Sequence, residues 1–598
     1  MRSIISFIRL LKKQHRFNAM NYAAQLSYGI LLAFLPAMMV FYSASGFFFR
    51  DASTELIAAL QTVFPKGMLD FFYSSEAALN GSYASGTWVE TNPLFFAFST
   101  CCIAAFIVYA AIRAVRSFMV TSTRVSGFKE SRGFIRLWQD AFYNTIVLIA
   151  LFFSVIYFYV VTQHMASGLA DIEHAGFLYQ LWKVFSYAYL ILMLIAIMTW
   201  CYSVFPCVRL KLRQALPGGI FSVTSWLLLI NLIQLLQDNN LWPVGLTELT
   251  RSVNLMFYIY CFSLILILGA VVNILFIRLN AYKKREDTRV AGKSGYYPDT
   301  IIRSGKLLQK GKMDKSLLFK SKHPDLTTKE RLKALYLSVV DSLIVTNFPG
   351  ICTQLAFYML ATFVPLILFL LQFVSGFYAD FQSGLLGALR IYLPEMSYQY
   401  LIEEVTEMSS YLSKNQGIMG LTAFVMAGVS MYSILSGVNQ TYGFERYRHR
   451  QTLWLKSLLF TLFLALGTTV LMLIYSLSES IRSWIHSLLI VGLPDDFSYS
   501  LYAVLFSELV VFLLIMSIYI AAPEKPFTVK QVLPGSIFAV LAISIVFRIY
   551  LFFLDRSLTY IALYGSQSGL FILLVVLFFF SCVLNIGAKI NVMFSRKR

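Results

Sequence analysis

Charged residues are scarce in this sequence. They make up 13% of its 598 residues, whereas soluble domains average roughly 25%. Hydrophobic residues reach 58%, and apolar runs close to the roughly 20 residues that cross a bilayer recur along the chain. A soluble protein would not need runs such as 457–478 and 569–588. The composition therefore predicts an all-α polytopic membrane protein.

The groupings that carry enzyme chemistry are also lacking. The six histidines are scattered, and the seven cysteines fall in or beside apolar runs without forming a CxxC pair. The sequence therefore indicates neither a metal cluster nor a disulfide framework. It has no Walker-type phosphate loop and no nucleophile elbow, and no paired catalytic carboxylates stand out. We expect no enzyme activity, no metal and no cofactor.

The net charge of +19 is compatible with nucleic-acid binding until its placement is considered. The apolar runs predict about 12 transmembrane helices, at 22–48, 93–115, 142–163, 184–206, 217–237, 254–278, 350–375, 416–440, 457–478, 499–521, 534–554 and 569–590. Basic residues concentrate in one alternate set of connections and acidic residues in the other. The positive-inside rule then places both termini in the cytoplasm. Excess positive charge at the inner surface attracts anionic lipid, so we expect membrane lipids, and no nucleic acid, as partners.

The sequence repeats itself in order. The matching segments are Gln25-Leu26, Leu31, Phe34 and Pro36 with Gln354-Leu355, Leu360, Phe363 and Pro365; Tyr202 and Pro206 with Tyr519 and Pro523; Gln214–Phe221 with Gln531–Phe538; and Gly269-Ala270 and Asn273 with Gly587-Ala588 and Asn591. Ordered matches of this kind indicate a duplication. Because each copy holds an even number of spans, the chain is predicted to form two parallel six-helix repeats, as in some transporters.

Three regions follow from this duplication. Residues 1–278 are predicted to be a six-span repeat preceded by an N-terminal amphipathic helix. Residues 279–326 are rich in Lys and Arg and are predicted to be a basic cytoplasmic linker. Residues 327–598 are predicted to form the second six-span repeat, with its own amphipathic lead-in helix.

Structural roles, rather than substrate contacts, are favoured for the prolines, glycines and asparagines of the repeat. These positions are Pro36, Pro217, Gly218, Gly269, Asn273, Pro365, Pro534, Gly535, Gly587 and Asn591. Pro217 and Pro534 are predicted in the first turn of a span, where the missing N–H costs nothing. Gly269 and Gly587 lie in the last span of each copy, where a small residue lets helices approach closely.

The repeated motifs resemble the YihY/BrkB family of bacterial inner-membrane proteins. The resemblance rests on Ala23-Ala24-Gln25-Leu26-Ser27-Tyr28 followed by Phe34-Leu35-Pro36, on the later Leu-Pro-Gly, and on the final Gly-Ala-x-x-Asn. It covers most of the chain outside the linker. It implies a location in the bacterial plasma membrane, and, since ordinary members are single six-span units, a fused pair of such units.

Two departures distinguish the copies from the family pattern. The family's Tyr-Gly before the last span is present as Tyr564-Gly565 but has no counterpart near Leu246. The acid often found inside Gly-Ala-x-x-Asn is replaced by Val271 in one copy and Lys589 in the other. The copies have therefore diverged, and any functional site is expected to be asymmetric.

Ionisable residues inside spans are costly and are default candidates for function. Glu508 and Arg548 lie at similar depths in neighbouring predicted spans, and we predict that they form an ion pair. The pair is interpreted either as a structural bridge or as a substrate or ion site. Its positions in the first copy are Ile191 and Asn231, so the pair belongs to the second copy alone.

Two further groups are candidates for substrate binding. Arg113 and Arg116 end the second span and are interpreted as markers of the inner boundary or as a clamp for a phosphate. The polar residues Asn231, Gln234, Gln237 and Asp238 follow helical spacing. They predict either a wet crevice that faces outward or a hydrogen-bonded seam between helices.

Two functions compete on this evidence. The first is a secondary transporter or translocator of an anionic lipid or envelope precursor. It fits the duplication, the polar groups in the spans and the lack of an ATP site. The second is a non-transporting scaffold for envelope assembly, in which the basic linker docks partners or lipid.

Overall fold

The structure is a computed structural model that describes part of the chain. The described residues are 19–48, 93–125, 130–170, 176–238, 251–290, 348–375, 398–399, 402, 416–442, 450–476, 495–524, 527–554 and 568–595. Among these residues there are helices and turns but no strand. The predicted N-terminal amphipathic helix, the linker after Val290, the lead-in helix and Tyr564-Gly565 lie outside them.

Twelve helices occupy the described residues, and they follow the twelve predicted spans in order. The first six are α1 (Ala19–Phe48), α2 (Pro93–Val125), α3 (Phe134–Ala170), α4 (Gly176–Val204), α5 (Leu212–Asp238) and α6 (Arg251–Val290). The second six are α7 (Phe348–Ser375), α8 (Gln416–Thr441), α9 (Arg450–Ser476), α10 (Asp495–Ala521), α11 (Val529–Leu554) and α12 (Ser568–Ser595). The predicted all-α class with twelve helices is confirmed.

Six segments within the described residues are long and apolar enough to cross a membrane. They are Ile135–Tyr159, Phe177–Val204, Leu212–Leu235, Leu255–Ile277, Val529–Val546 and Leu573–Val592. Large apolar side chains on these helices face outward, among them Ile135, Phe177 and Val184. An outward apolar surface on long helices suits a lipid environment.

The chain divides into two compact units. The first unit contains nearly all of α1 to α6, and the second contains α7 to α12. In the first unit α4 packs against α3 and α5, around buried residues that include Met119 and Phe205. In the second unit α7 packs against α8 and α12, and α11 packs against α10 and α12. Leu435 and Tyr519 belong to the core of this second unit.

The starts of α5 and α11 correct the predicted placement of two prolines. The side chain of Gln214 accepts a hydrogen bond from the N–H of Lys211 at 3.1 Å, and that of Gln531 accepts one from Thr528 at 2.9 Å. This is the reciprocal half of a capping box. Because the caps start each helix early, Pro217 and Pro534 lie inside α5 and α11. They are not in the first turn, as predicted.

Helix α6 also extends further than its predicted span. It runs to Val290, whereas the span was predicted to end at residue 278. The added residues include Ala281, Lys283, Lys284 and Arg285, all of which favour helix. Local helix propensity therefore carries the backbone beyond the apolar segment.

Candidate functional site

The best-defined polar contact in each unit lies where the fifth helix crosses the sixth. In the first unit the N–H of Gly218 donates to Oδ1 of Asn273 at 2.6 Å. In the second unit the N–H of Gly535 donates to Oδ1 of Asn591 at 2.7 Å. We call this repeated contact the asparagine bridge. Both asparagines are buried, so each bridge satisfies a backbone donor that water cannot reach.

Glycine is required at both sides of this crossing. A Cβ atom on Gly218 would collide with the carbonyl oxygen of Gly269, and one on Gly535 would collide with that of Gly587. The small residues therefore bring the two backbones together, which allows the short asparagine side chain to reach the facing N–H.

Pro36 and Pro365 lie within α1 and α7, and both helices continue past them.

A buried tyrosine adds a second link to the sixth helix of each unit. Tyr202 donates to the carbonyl of Leu266 at 2.6 Å, and Tyr519 donates to the carbonyl of Leu584 at 2.7 Å. Both tyrosines lie in the last turn of the fourth helix of their unit. The fourth, fifth and sixth helices are thus joined by hydrogen bonds at one place in each copy.

The two copies differ in the contacts of Nδ2, the amide nitrogen of the bridging asparagine. In the second unit Nδ2 of Asn591 donates to the hydroxyl of Tyr442 at 3.1 Å. Aligning Tyr109 with Tyr432 places Met119 opposite Tyr442 in the first unit. Within the described residues, Nδ2 of Asn273 is buried and has no hydrogen-bond acceptor. The second unit therefore holds its bridge more completely.

The second unit also has a polar core that the first unit lacks. Thr441 on α8 donates to Asn585 on α12, and Nδ2 of Asn585 bonds the carbonyl of Ser581 at 2.8 Å and lies 3.7 Å from Sγ of Cys352. All four side chains are buried. The matching positions of Thr441 and Asn585 in the first unit are Phe118 and Ile267. This asymmetry agrees with the expected divergence of the copies.

The first unit instead gathers cations and aromatic rings where α2 meets α1 and α3. The guanidinium of Arg113 lies over the ring of Tyr28, 5.7 Å from its centroid. That of Arg116 lies over the ring of Trp138 at 4.9 Å, and Trp138 stacks on Tyr109 at 5.6 Å. Cation–π contacts of this kind stabilise partly desolvated guanidinium groups. We call these five residues the basic–aromatic cluster. Their role in phosphate binding stays a prediction.

Arg132 fastens the segment between α2 and α3 to the end of α4. It bonds Glu130 at 2.7 Å and lies 3.6 Å from Asp140, and it donates to the carbonyl of Phe205 at 3.1 Å. Burial acts to raise the pKa of Glu130, but the hydrogen bonds and charge of Arg132 outweigh it and lower that pKa. Sequence reasoning missed this pair because Glu130 and Arg132 lie between spans, where charge is ordinary.

The predicted ion pair between Glu508 and Arg548 is wrong. Glu508 accepts a hydrogen bond from Ser544, one turn before Arg548 on α11. No salt bridge joins the side chains of Glu508 and Arg548, although both are among the described residues. The side chain of Arg548 is exposed. The serine hydroxyl satisfies the carboxyl group without the cost of burying a second charge.

The contacts of Asn231 disagree with one of its two interpretations, the hydrogen-bonded seam between helices. It is exposed on α5, and its Nδ2 donates to the carbonyl of Leu227, one turn earlier, at 2.8 Å. Its bond therefore lies within its own helix, not in a seam between helices. Gln234 is half-buried, and the side chains of Gln237 and Asp238 lie outside the described residues.

No group of three or more His, Cys, Asp or Glu residues in the described part of the chain is arranged to hold a metal ion.

The comparisons with known proteins identify the chain by its family. The model of the family described as virulence factor BrkB matches residues 10–293 and again residues 341–598. The chain belongs to the BrkB family.

The two matched segments give this BrkB-family chain a tandem, two-copy form. A similar curated protein is the ribonuclease-like protein YfkH of Bacillus subtilis (strain 168). It is 24% identical over 251 residues, which are 41% of this chain and 89% of YfkH. No solved structure matches the chain. Family and helices together make this a multi-pass membrane protein.

Proposed function

We propose that this BrkB-family protein is a secondary transporter or translocator of an anionic lipid or envelope precursor. It resides in the bacterial plasma membrane with both termini in the cytoplasm, and it is not an enzyme. The ribonuclease-like name of YfkH describes that protein. The proposal for this chain rests on its own ionisable groups.

The basic–aromatic cluster carries the proposal. Arg113 and Arg116 are half-buried near the end of an apolar helix segment, where a guanidinium is costly unless it is paired or used. Their aromatic partners cover one face of each guanidinium. Arginine N–H groups bind phosphate oxygens strongly, so an anionic headgroup suits this cluster.

Liposome reconstitution tests the proposal. We expect the purified chain to move fluorescent phosphatidylglycerol between leaflets, measured as protection from a membrane-impermeant quencher. Arg113→Gln with Arg116→Gln is expected to slow this movement by roughly tenfold, the value of one lost charged hydrogen bond. Arg209→Gln, at an exposed position after α4, is the matched control and is expected to keep the wild-type rate.

The scaffold alternative predicts a different pattern. A chain lacking residues 285–325 would then lose its cellular role. The double variant of Arg113 and Arg116 and the Arg209→Gln control would both retain it. If the reconstituted wild-type chain moves no labelled lipid and only the deletion impairs cells, the transport proposal is overturned in favour of the scaffold.

A further inference from the structure

An open surface cavity of about 620 Å³ lies over the first turns of α3. Its lining residues are Gly133, Ile135, Arg136, Gln139, Asp140 and Tyr143. Binding sites for small molecules typically occupy roughly 300–1,000 Å³. The apolar span Ile135–Tyr159 starts at this cavity, so the cavity lies at the level where lipid headgroups meet the hydrocarbon.

Two of the residues that line this cavity are charged, Arg136 and Asp140. Arg136 and Asp140 are one turn apart, yet the described ion pair of Asp140 is with Arg132, at 3.6 Å. Within the described residues Arg136 has no carboxylate at salt-bridge distance. Arg132 is itself bonded to Glu130 at 2.7 Å, so the two acids balance the two arginines in charge. The guanidinium of Arg136 nevertheless keeps N–H groups that no described carboxylate occupies. The amide of Gln139 adds two hydrogen-bond donors beside it.

Two of the residues that line the cavity have large side chains that face outward. The side chains of Ile135 and Tyr143 are 73% and 67% exposed, which for residues at the start of a span places them against lipid. Tyrosine is enriched at this depth because its ring is apolar and its hydroxyl is polar. A cation beside exposed apolar side chains matches a phosphate group that carries acyl chains.

The second unit lacks this arrangement. Leu137-Trp138 aligns with Leu453-Trp454, and Thr145 aligns with Thr461. In this register Thr452 occupies the place of Arg136. The repeat therefore explains the shared buried face of α3 and α9 but not the cation, which belongs to the first unit alone.

We propose that this cavity is a binding site for the headgroup of an anionic phospholipid, with Arg136 bound to the phosphate and the acyl chains beside Ile135 and Tyr143. The site deepens the proposed function and rests on it for the choice of an anionic lipid. Binding is measured without transport, so the two proposals fail separately: bound lipid without movement contradicts only the transporter.

Native mass spectrometry of the full-length protein in detergent tests the site. Dioleoylphosphatidylglycerol is the probe, and its binding is expected to weaken by roughly tenfold in Arg136→Gln and to be retained in Arg136→Lys. Arg213→Gln, another exposed cation, is the control and is expected to change binding by less than about twofold. Both arginines are exposed, so folding is expected to be intact.

Two further probes separate the sources of the phosphate. Dioleoylglycerol has the chains without the phosphate, and glycerol 3-phosphate has the phosphate without the chains. Neither is expected to compete with the phospholipid. The site is overturned if Arg136→Gln and Arg213→Gln weaken binding equally, if dioleoylglycerol binds as tightly as the phospholipid, or if glycerol 3-phosphate displaces it.

Discussion

Gly218 donates its backbone N–H to Oδ1 of Asn273 across 2.6 Å. The second copy repeats this bond between Gly535 and Asn591, although the surroundings of the two asparagines differ. One backbone contact has thus been kept while neighbouring side chains changed. The asparagine bridge is thus a polar contact of the helix crossing that both units share.

Removal of the bridge is expected to destabilise the protein. Asn273→Ala removes the side-chain acceptor that the N–H of Gly218 uses at this buried crossing, which costs about 1–3 kcal/mol. The melting temperature of the detergent-purified chain, followed by size-exclusion chromatography after heating, is expected to fall by several degrees. Asn231→Ala is the control, because Asn231 is exposed and bonds its own helix. Equal melting of the two variants would contradict the role of the bridge.

Glycine replacements at the crossing are expected to be more harmful than elsewhere. Gly218→Ala and Gly535→Ala bring a methyl group onto the facing carbonyl and asparagine, so the helices must separate, at a cost of about 1–3 kcal/mol. Gly467→Ala, in α9, meets nothing within 4 Å and is expected to be neutral or stabilising. The yield of monodisperse protein measures the difference. A harmless Gly535→Ala would show that the crossing is looser than described.

The hydroxyl of Tyr442 gives the second unit a contact that the first unit lacks. Tyr442→Phe is expected to lower stability by about 1 kcal/mol, because it leaves Nδ2 of Asn591 without its acceptor. Tyr143→Phe, at an exposed position, serves as the control. Thermal melts of both variants decide the matter, and unchanged melting of Tyr442→Phe would mean that Asn591 needs no second partner.

The contribution of Arg132 is expected to depend on pH. The folded chain holds the pKa of Glu130 below its ordinary value, so the pair stabilises the protein above the ordinary carboxyl pKa of about 4.3. That stability is lost as the pH falls through the lowered pKa. At pH 7 the free energy of unfolding of Arg132→Gln is expected to be about 1–2 kcal/mol below that of wild type, so the variant melts at a lower temperature.

Melts of both proteins between pH 3 and pH 7 test this dependence. The gap between wild type and Arg132→Gln is expected to be constant from about pH 5 upward and to shrink below about pH 4. Arg209→Gln provides a control in which no such gap opens. A gap that is independent of pH would mean that Arg132 acts through Phe205, not through Glu130.

Periodicity and repetition were sufficient to predict the helices, because an apolar run of bilayer length leaves the backbone few alternatives. The close approach at Gly269 and Gly587 was also predictable from residue size. The hydrogen-bond partner of Glu508 could not be predicted from the sequence. Depth in the membrane placed Arg548 beside it, but the rotation of α11 decides which side chain faces α10, and that rotation depends on packing. Ser544 gave no signal in the sequence.

The predicted starts of α5 and α11 were wrong for a related reason. The proline of Leu-Pro-Gly marks a start when it stands alone, but Gln214 and Gln531 cap their helices from a turn earlier. The sequence shows the glutamine in both copies, and its spacing from Lys211 and Thr528 is the signal that was missed. Charges between spans, such as Glu130, carry no such regular spacing and needed the structure.

Each asparagine bridge joins two helices of the same bundle, and the tyrosine links do so as well. Each unit thus carries its own copy of these links. The loss of one asparagine would therefore loosen a single crossing and leave the hydrogen bonds of the matching crossing in place.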